Sequence, residues 1–166
     1  MDQAGNFECR RCAVCCRSLL ESKEGILRGL PLTDKETKLF TSKLTAPKLA
    51  LGVDKPENII LYQLIVNCCP HLNEKNECQV YAKRPLMCQS FPIVVGAISN
   101  RCQVFNYRIP GVAYEEPYSM TDQLKASSKL EKHIQSYLSK KSRKGHRIWE
   151  YDPNSKKWLD KGLYKE

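Results

Sequence analysis

The run Cys9-x-x-Cys12-x-x-Cys15-Cys16 constrains this chain more than any other feature. A C-x-x-C step lets one tight turn deliver two thiolates to a common centre, with turn amides pointing at sulfur. Two such steps overlap here. Ferredoxin-type clusters use three cysteines at this spacing with a remote fourth followed by proline, and Cys69-Pro70 can take that remote part. An all-thiolate set selects zinc, copper(I) or iron–sulfur chemistry over hard cations. The adjacent pair is awkward for one mononuclear site. Neighbouring side chains diverge by about 100° on a helix and roughly 180° on a strand. Cys15 and Cys16 are therefore expected to serve two centres, or one of them only packs.

The chain has 9 cysteines, an odd number that leaves one over from a pure disulfide framework. The N-terminal residues Met1 to Asn6 contain neither a basic segment nor an apolar one, so no secretory signal is read. The expected location is the cytoplasm, where clustered cysteines are metal ligands rather than cystines.

A second group follows: Cys69-Pro70-His71-Leu72, then Cys78-x-Val80-Tyr81-x-x-Arg84-Pro85-x-x-Cys88-x-x-Phe91-Pro92. With Phe7 and the first run, this resembles the YkgJ-type cysteine-cluster family, built around a CxxCxxCC domain taken to chelate zinc or iron. The resemblance runs from Phe7 to Pro92. Carried over position by position, it implies metal ligation by Cys9, Cys12, Cys15, Cys16, Cys69, Cys78 and Cys88. This chain departs from the pattern in two places. Many members carry Gly where it has Ala13-Val14, and many carry Arg where it has Gln89. Seven thiolates suit two four-coordinate metals with one bridging sulfur. They equally suit one 4Fe–4S cluster with three thiols to spare. The ferredoxin-like rhythm favours the iron–sulfur cluster, with zinc as the alternative.

Cys68 and Cys102 fall outside the pattern and read as small buried hydrophobes, Cys68 in phase with Tyr62, Leu64 and Val66. His71 reads as a supporting or surface group and Tyr81 as a core aromatic. Arg84 either neutralises the thiolate-rich site or makes an exposed salt bridge.

A chain of 166 residues buries a working core unaided. No uncharged stretch is longer than Asn58 to Asn73, which is broken by Gln63, Asn67 and Pro70, so no membrane span is expected. The expected fold class is α+β, a small metal-stapled domain with a C-terminal helix and hairpin. Residues 1–118 are read as the cysteine-cluster domain and 119–166 as a basic extension. Thr33-Asp34-Lys35-Glu36 has a capping-box pattern and predicts a helix carrying Leu39, Phe40 and Leu44. Strands are expected over 58–68, 92–98 and 102–109. Leu124, Leu130, Ile134 and Leu138 predict an amphipathic helix from Thr121 to about Lys140. Asp152-Pro153-Asn154-Ser155 predicts the turn of a terminal hairpin.

Charge is uneven. Residues 119–166 hold 12 Lys and Arg against 6 Asp and Glu, so +6 of the net +9 lies there. Lys140 to Arg147, with Trp149, Tyr151 and Trp158 nearby, suggests charge-plus-stacking contact with a nucleic acid or the ribosome. The plainer reading is a solvated helix end. No nucleotide-binding loop is present, and no Cys–His spacing marks a catalytic pair. Two function classes remain open. One is an iron–sulfur or zinc protein with a redox or protein-modifying role. The other is a zinc-stabilised, non-enzymatic RNA- or ribosome-associated module.

Overall fold

In the computed structural model, the described residues are 5–94, 97–98, 118–141 and 145–164. Along the chain run β1 (Gly5–Asn6), β2 (Glu21–Lys23), β3 (Ile26–Arg28), β4 (Leu30–Leu32), β5 (Thr45–Gly52) and β6 (Asn58–Leu64). After these come α1 (Leu86–Ser90), β7 (Ile93–Val94), β8 (Ala97–Ile98), β9 (Tyr118–Ser119), α2 (Thr121–Lys141), β10 (Arg147–Asp152) and β11 (Lys157–Leu163). The chain is a small α+β domain with a C-terminal helix and a terminal hairpin, as its sequence pattern predicts.

The main sheet has the order β11-β10-β5-β6-β4, and every neighbouring pair is antiparallel. The terminal hairpin is thus part of the sheet, with β10 between β11 and β5. Two glycines permit close backbone approaches. A Cβ at Gly29 would collide with the Leu64 carbonyl, and one at Gly52 with that of Lys55. The sheet's middle is stitched by Gln63, which is fully buried. Its Oε1 accepts the Gly29 N–H at 2.8 Å, and its Nε2 donates to the carbonyls of Pro47 at 2.8 Å and Tyr151 at 3.3 Å. Register shifts around Leu49 follow Pro47, which has no N–H for the ladder. A buried side-chain amide thus supplies cross-strand bonds beside that irregularity.

α2 packs on the sheet through Leu138, Ile134 and Tyr137 against Leu51, Ile60, Leu49 and Ile148. His133 Nε2 donates to the Ile60 carbonyl at 3.2 Å. Gln123, Ala126, Leu130 and Leu138 are buried, whereas Leu124 is 55% exposed. Leu124 lies about 100° round the helix from Gln123 and falls off the stripe that the other buried positions set. Among the described residues, no helix is long and apolar enough to cross a membrane.

Other local expectations are corrected. The capping-box segment forms two short 3-10 turns, Glu36–Leu39 and Ser42–Leu44, with Phe40 extended between them. Only half of the box is made: Glu36 Oε2 accepts the Thr33 N–H at 2.7 Å. The other carboxylate oxygen is engaged elsewhere in the fold. Strand β6 stops at Leu64. The expected 92–98 strand doubles back as a hairpin, Ile93 pairing with Ile98 and Val94 with Ala97. The strand expected over 102–109 and Cys102 lie outside the described residues.

Candidate metal centre

The first cysteine run is a tight loop anchored at its start by a parallel pairing. β1 pairs with β9, and the Phe7 N–H donates to the Ser119 carbonyl at 3.1 Å. Arg11 and Ala13 adopt left-handed backbone, φ 56° and 60°. A non-glycine residue there costs roughly 1–2 kcal/mol. The winding brings the Arg11 N–H to 3.4 Å from Cys9 Sγ, the amide-to-sulfur contact expected of a C-x-x-C turn. Ala13, in the stretch where the family pattern carries Gly, is also buried. Cys15–Arg17 then form one 3-10 turn. On it, the sulfurs of Cys15 and Cys16 come within 3.9 Å rather than diverging. That separation is close to the ~3.8 Å edge of a tetrahedron with metal–sulfur bonds of about 2.3 Å.

A backbone seam joins this loop to the second group. The Cys69 N–H donates to the Cys16 carbonyl at 2.8 Å, and the Leu19 N–H to that of Asn67 at 3.0 Å. The next segment closes on itself. Leu72 bridges to Cys78, and the Gln79 N–H donates to the His71 carbonyl at 2.8 Å. Within it Asn73 Oδ1 accepts the N–H groups of Lys75 and Glu77 at 3.0 and 2.8 Å. Asn76 takes φ 62°, a conformation asparagine tolerates. Arg17 Nη2 donates to Asn76 Oδ1 at 2.7 Å, and Arg11 pairs with Glu77 at 2.9 Å, so both arginines tie the two loops. Cys88 arrives on α1, whose first N–H, that of Leu86, donates to Glu36 Oε1 at 2.7 Å.

These sulfurs feel one another. The Cys15 thiol is pushed up by its hydrogen bond to Cys16, by burial, and by the fields of Cys16, Cys9 and Cys88. Cys16 is drawn down by that same bond, and also by the charges of Arg84 and Arg17. Burial pushes Cys88 up, reinforced by Cys16, Cys69 and Cys78. Cys69 is raised by burial and by Cys16, Cys78 and Cys68, against an opposing hydrogen bond from the His71 N–H. Thiols that hinder one another's ionisation in this way are relieved by a shared cation, so the donor set fits a soft metal or cluster. The sulfurs that come into direct contact are those of Cys15 and Cys16, at 3.9 Å, and the backbone bond from Cys69 to Cys16 sets the second run beside them. Cys12 is half-buried in the same loop. Among the described residues, no three His, Cys, Asp or Glu side chains stand close enough to hold an ion as they are.

Arg84 lies against the site. Its guanidinium stacks 3.8 Å over the Tyr81 ring. Its Nη1 donates to the Tyr81 carbonyl at 3.0 Å, and its Nε approaches the Cys88 carbonyl at 3.4 Å. Tyr81 is 48% exposed, not a core aromatic, and the guanidinium covers one ring face. Gln89, the departure from the family's Arg, donates to the Arg84 carbonyl at 2.6 Å. His71 Nε2 donates to the Leu39 carbonyl at 2.7 Å and its ring packs on Phe40, so it holds a loop rather than facing the sulfurs. Cys68 is exposed, because β6 ends before the alternation reaches it.

Sequence reasoning missed the reach of Glu36 to Leu86. The capping box was visible, but a carboxylate has two oxygens and only one of them acts locally. In the basic segment, Arg147 pairs with Asp160 at 2.6 Å. Trp149 Nε1 donates to the Gly52 carbonyl at 3.2 Å. Tyr151 and Trp158 pack edge to face. The side chains of Lys140 and Lys141, and residues 142–144, lie outside what is described.

No curated protein and no solved structure matches the chain. A family model does: CxxCxxCC, described as a putative zinc- or iron-chelating domain, matches residues 8–133. The match spans the cysteine loop, the seam, α1 and the first half of α2. The chain therefore belongs to the CxxCxxCC domain family.

Proposed function

We propose that this protein is a cytoplasmic iron–sulfur protein in which four of the thiols of Cys9, Cys12, Cys15, Cys16, Cys69, Cys78 and Cys88 hold one 4Fe–4S cluster, with zinc as the alternative occupant. The observations that support it best are the 3.9 Å approach of the Cys15 and Cys16 sulfurs and the Cys69 N–H bond to the Cys16 carbonyl at 2.8 Å, which joins the two cysteine runs. Seven thiols exceed the needs of one four-coordinate centre. The surplus leaves sulfurs for a second metal or for redox chemistry beside the first. Arg84 and Arg17 offset part of the negative charge the bound thiolates would carry. When bound, the cluster would supply one-electron chemistry. The protein's part is to hold it, shield it and set its charge.

The test is anaerobic purification followed by iron, zinc and acid-labile sulfide analysis. About four iron and four sulfide per chain is the expected result. Zinc without sulfide would move the protein to the alternative. Neither metal nor sulfide after anaerobic reconstitution would overturn the reading.

A further inference from the structure

Two of the cysteine-bearing segments are held by a third that contains no cysteine. The turn Glu36–Leu39 and its neighbour Phe40 lie outside the cysteine motif. Glu36 Oε2 accepts the Thr33 N–H and so belongs to its own turn, while Oε1 accepts the Leu86 N–H, both at 2.7 Å. Leu86 opens the short helix that carries Cys88. Pro85, immediately before it, makes no side-chain cap, so this carboxylate does the capping from a distant part of the chain. Three residues beyond Glu36, the Leu39 carbonyl accepts His71 Nε2 at 2.7 Å, and the Phe40 ring packs on the imidazole at 5.1 Å between centroids. His71 lies in the short segment between the ligand residues Cys69 and Cys78. Its carbonyl accepts the Gln79 N–H next to Cys78 at 2.8 Å, and the Leu72 N–H that follows it donates to the Cys69 carbonyl at 3.1 Å.

We propose that the Glu36–Phe40 turn is the template that sets Cys88 against Cys69 and Cys78, with the Glu36 carboxylate and the Leu39 carbonyl–His71 bond as its two clamps. This rests on the reading of the cysteines as a metal centre. Glu36 and His71 are positioning residues: neither needs to touch the metal. The turn fixes the separation of two ligand loops that approach from different parts of the chain, which is the entropy a flexible site would otherwise lose on binding.

The test is an anaerobic cobalt(II) titration of the full reduced chain, read by the thiolate-to-cobalt charge-transfer band and by competition with a chelator. Glu36→Gln keeps the side chain's size but offers one acceptor for two N–H groups. His71→Phe keeps the ring contact and removes the donor. Each is expected to weaken cobalt binding by about tenfold or more, the usual effect of removing a group that orients a ligand, and to reduce the charge-transfer intensity per bound ion. Leu138→Ala, in the core between α2 and the sheet, serves as the stability control and is expected to keep affinity and spectrum. Wild-type affinity and spectrum in both clamp variants would overturn the proposal, as would an equal loss in Leu138→Ala. A wild-type chain that gives no thiolate-to-cobalt band overturns the metal-centre reading and this inference with it.

Discussion

The Cys69 N–H donates to the Cys16 carbonyl at 2.8 Å. A ligand residue of the first cysteine run thus bonds, through the backbone, to a ligand residue of the second. Between the two segments, β4 pairs with β6, Leu30 opposite Leu64. The two ligand segments therefore meet through their own backbone and not only through a shared metal.

Metal removal is expected to lower the melting temperature, since short ligand loops rarely preform and binding free energy becomes folding free energy. Cys12→Ser and Cys88→Ser should lose metal and melt lower, whereas Cys68→Ser, at an exposed position, should keep both. Thermal melts with and without chelator, alongside metal content, measure this. Full metal stoichiometry and an unchanged melt in Cys12→Ser would remove that residue from the ligand set.

Gln63 is the next target. Gln63→Leu fits the volume but strands the buried Gly29 N–H and the Pro47 carbonyl. Leaving such groups unpaired costs about 2 kcal/mol or more, a fall in melting temperature of roughly 4–8 °C for a chain of this size. A denaturant midpoint within error of wild type would show that water replaces the amide.

Acid should weaken the attachment of the β2–β3 hairpin to β10. Glu150 grips Arg28 with both oxygens, at 2.6 and 3.0 Å, and the Arg28 bond holds its carboxyl below the usual range. Asp152 is drawn from 3.8 to about 2, first by the Ser155 hydroxyl and then by the N–H groups of Leu27, Ser155 and Asn154 that it accepts. Both carboxylates have folded-state values below their unfolded ones. Their contribution is complete above the unfolded value and is lost as pH falls through the folded one. Stability should therefore drop progressively from about pH 4.5 towards 2. Asp152→Asn should flatten this dependence, and pH-dependent denaturant titrations of the two chains decide it.

The β2–β3 turn offers a gain. Glu24 and Gly25 connect Lys23 to Ile26 with φ 57° and 74°, the backbone of a type I′ hairpin turn. Asparagine suits the first position better than glutamate does. Glu24→Asn is expected to stabilise by about 0.5 kcal/mol, and Glu24→Val to destabilise, because a β-branched side chain strains the same φ. The present Glu24–Arg28 contact is 3.9 Å and exposed, so little is lost with it. A lower melting temperature for Glu24→Asn would contradict the turn assignment.

Elements whose cause is local were legible in the sequence. α2 follows from apolar spacing, the terminal hairpin from the Asp152-Pro153-Asn154-Ser155 turn, and the family from cysteine offsets that no packing is needed to read. Two errors came where a distant partner overrode the local pattern, and a third where the local backbone was neither helix nor strand. Glu36 has its second oxygen on Leu86, and the expected helix gives way to 3-10 turns. Leu124 lies off a stripe that the sheet, not the helix, selects. The sulfurs of Cys15 and Cys16 meet because left-handed Arg11 and Ala13 wind the loop ahead of a 3-10 turn, a geometry neither a helix nor a strand predicts.

The sequence alone determined which residue types are available for soft-metal chemistry and how they are spaced within each segment, because spacing along a chain is covalent. Only the tertiary structure decided how the segments meet: Cys16 against Cys69, Glu36 under the helix of Cys88, and β10 between β11 and β5. Those contacts depend on backbone hydrogen bonds and buried charge between residues far apart in sequence. Their partners exist for one another only after the chain has folded.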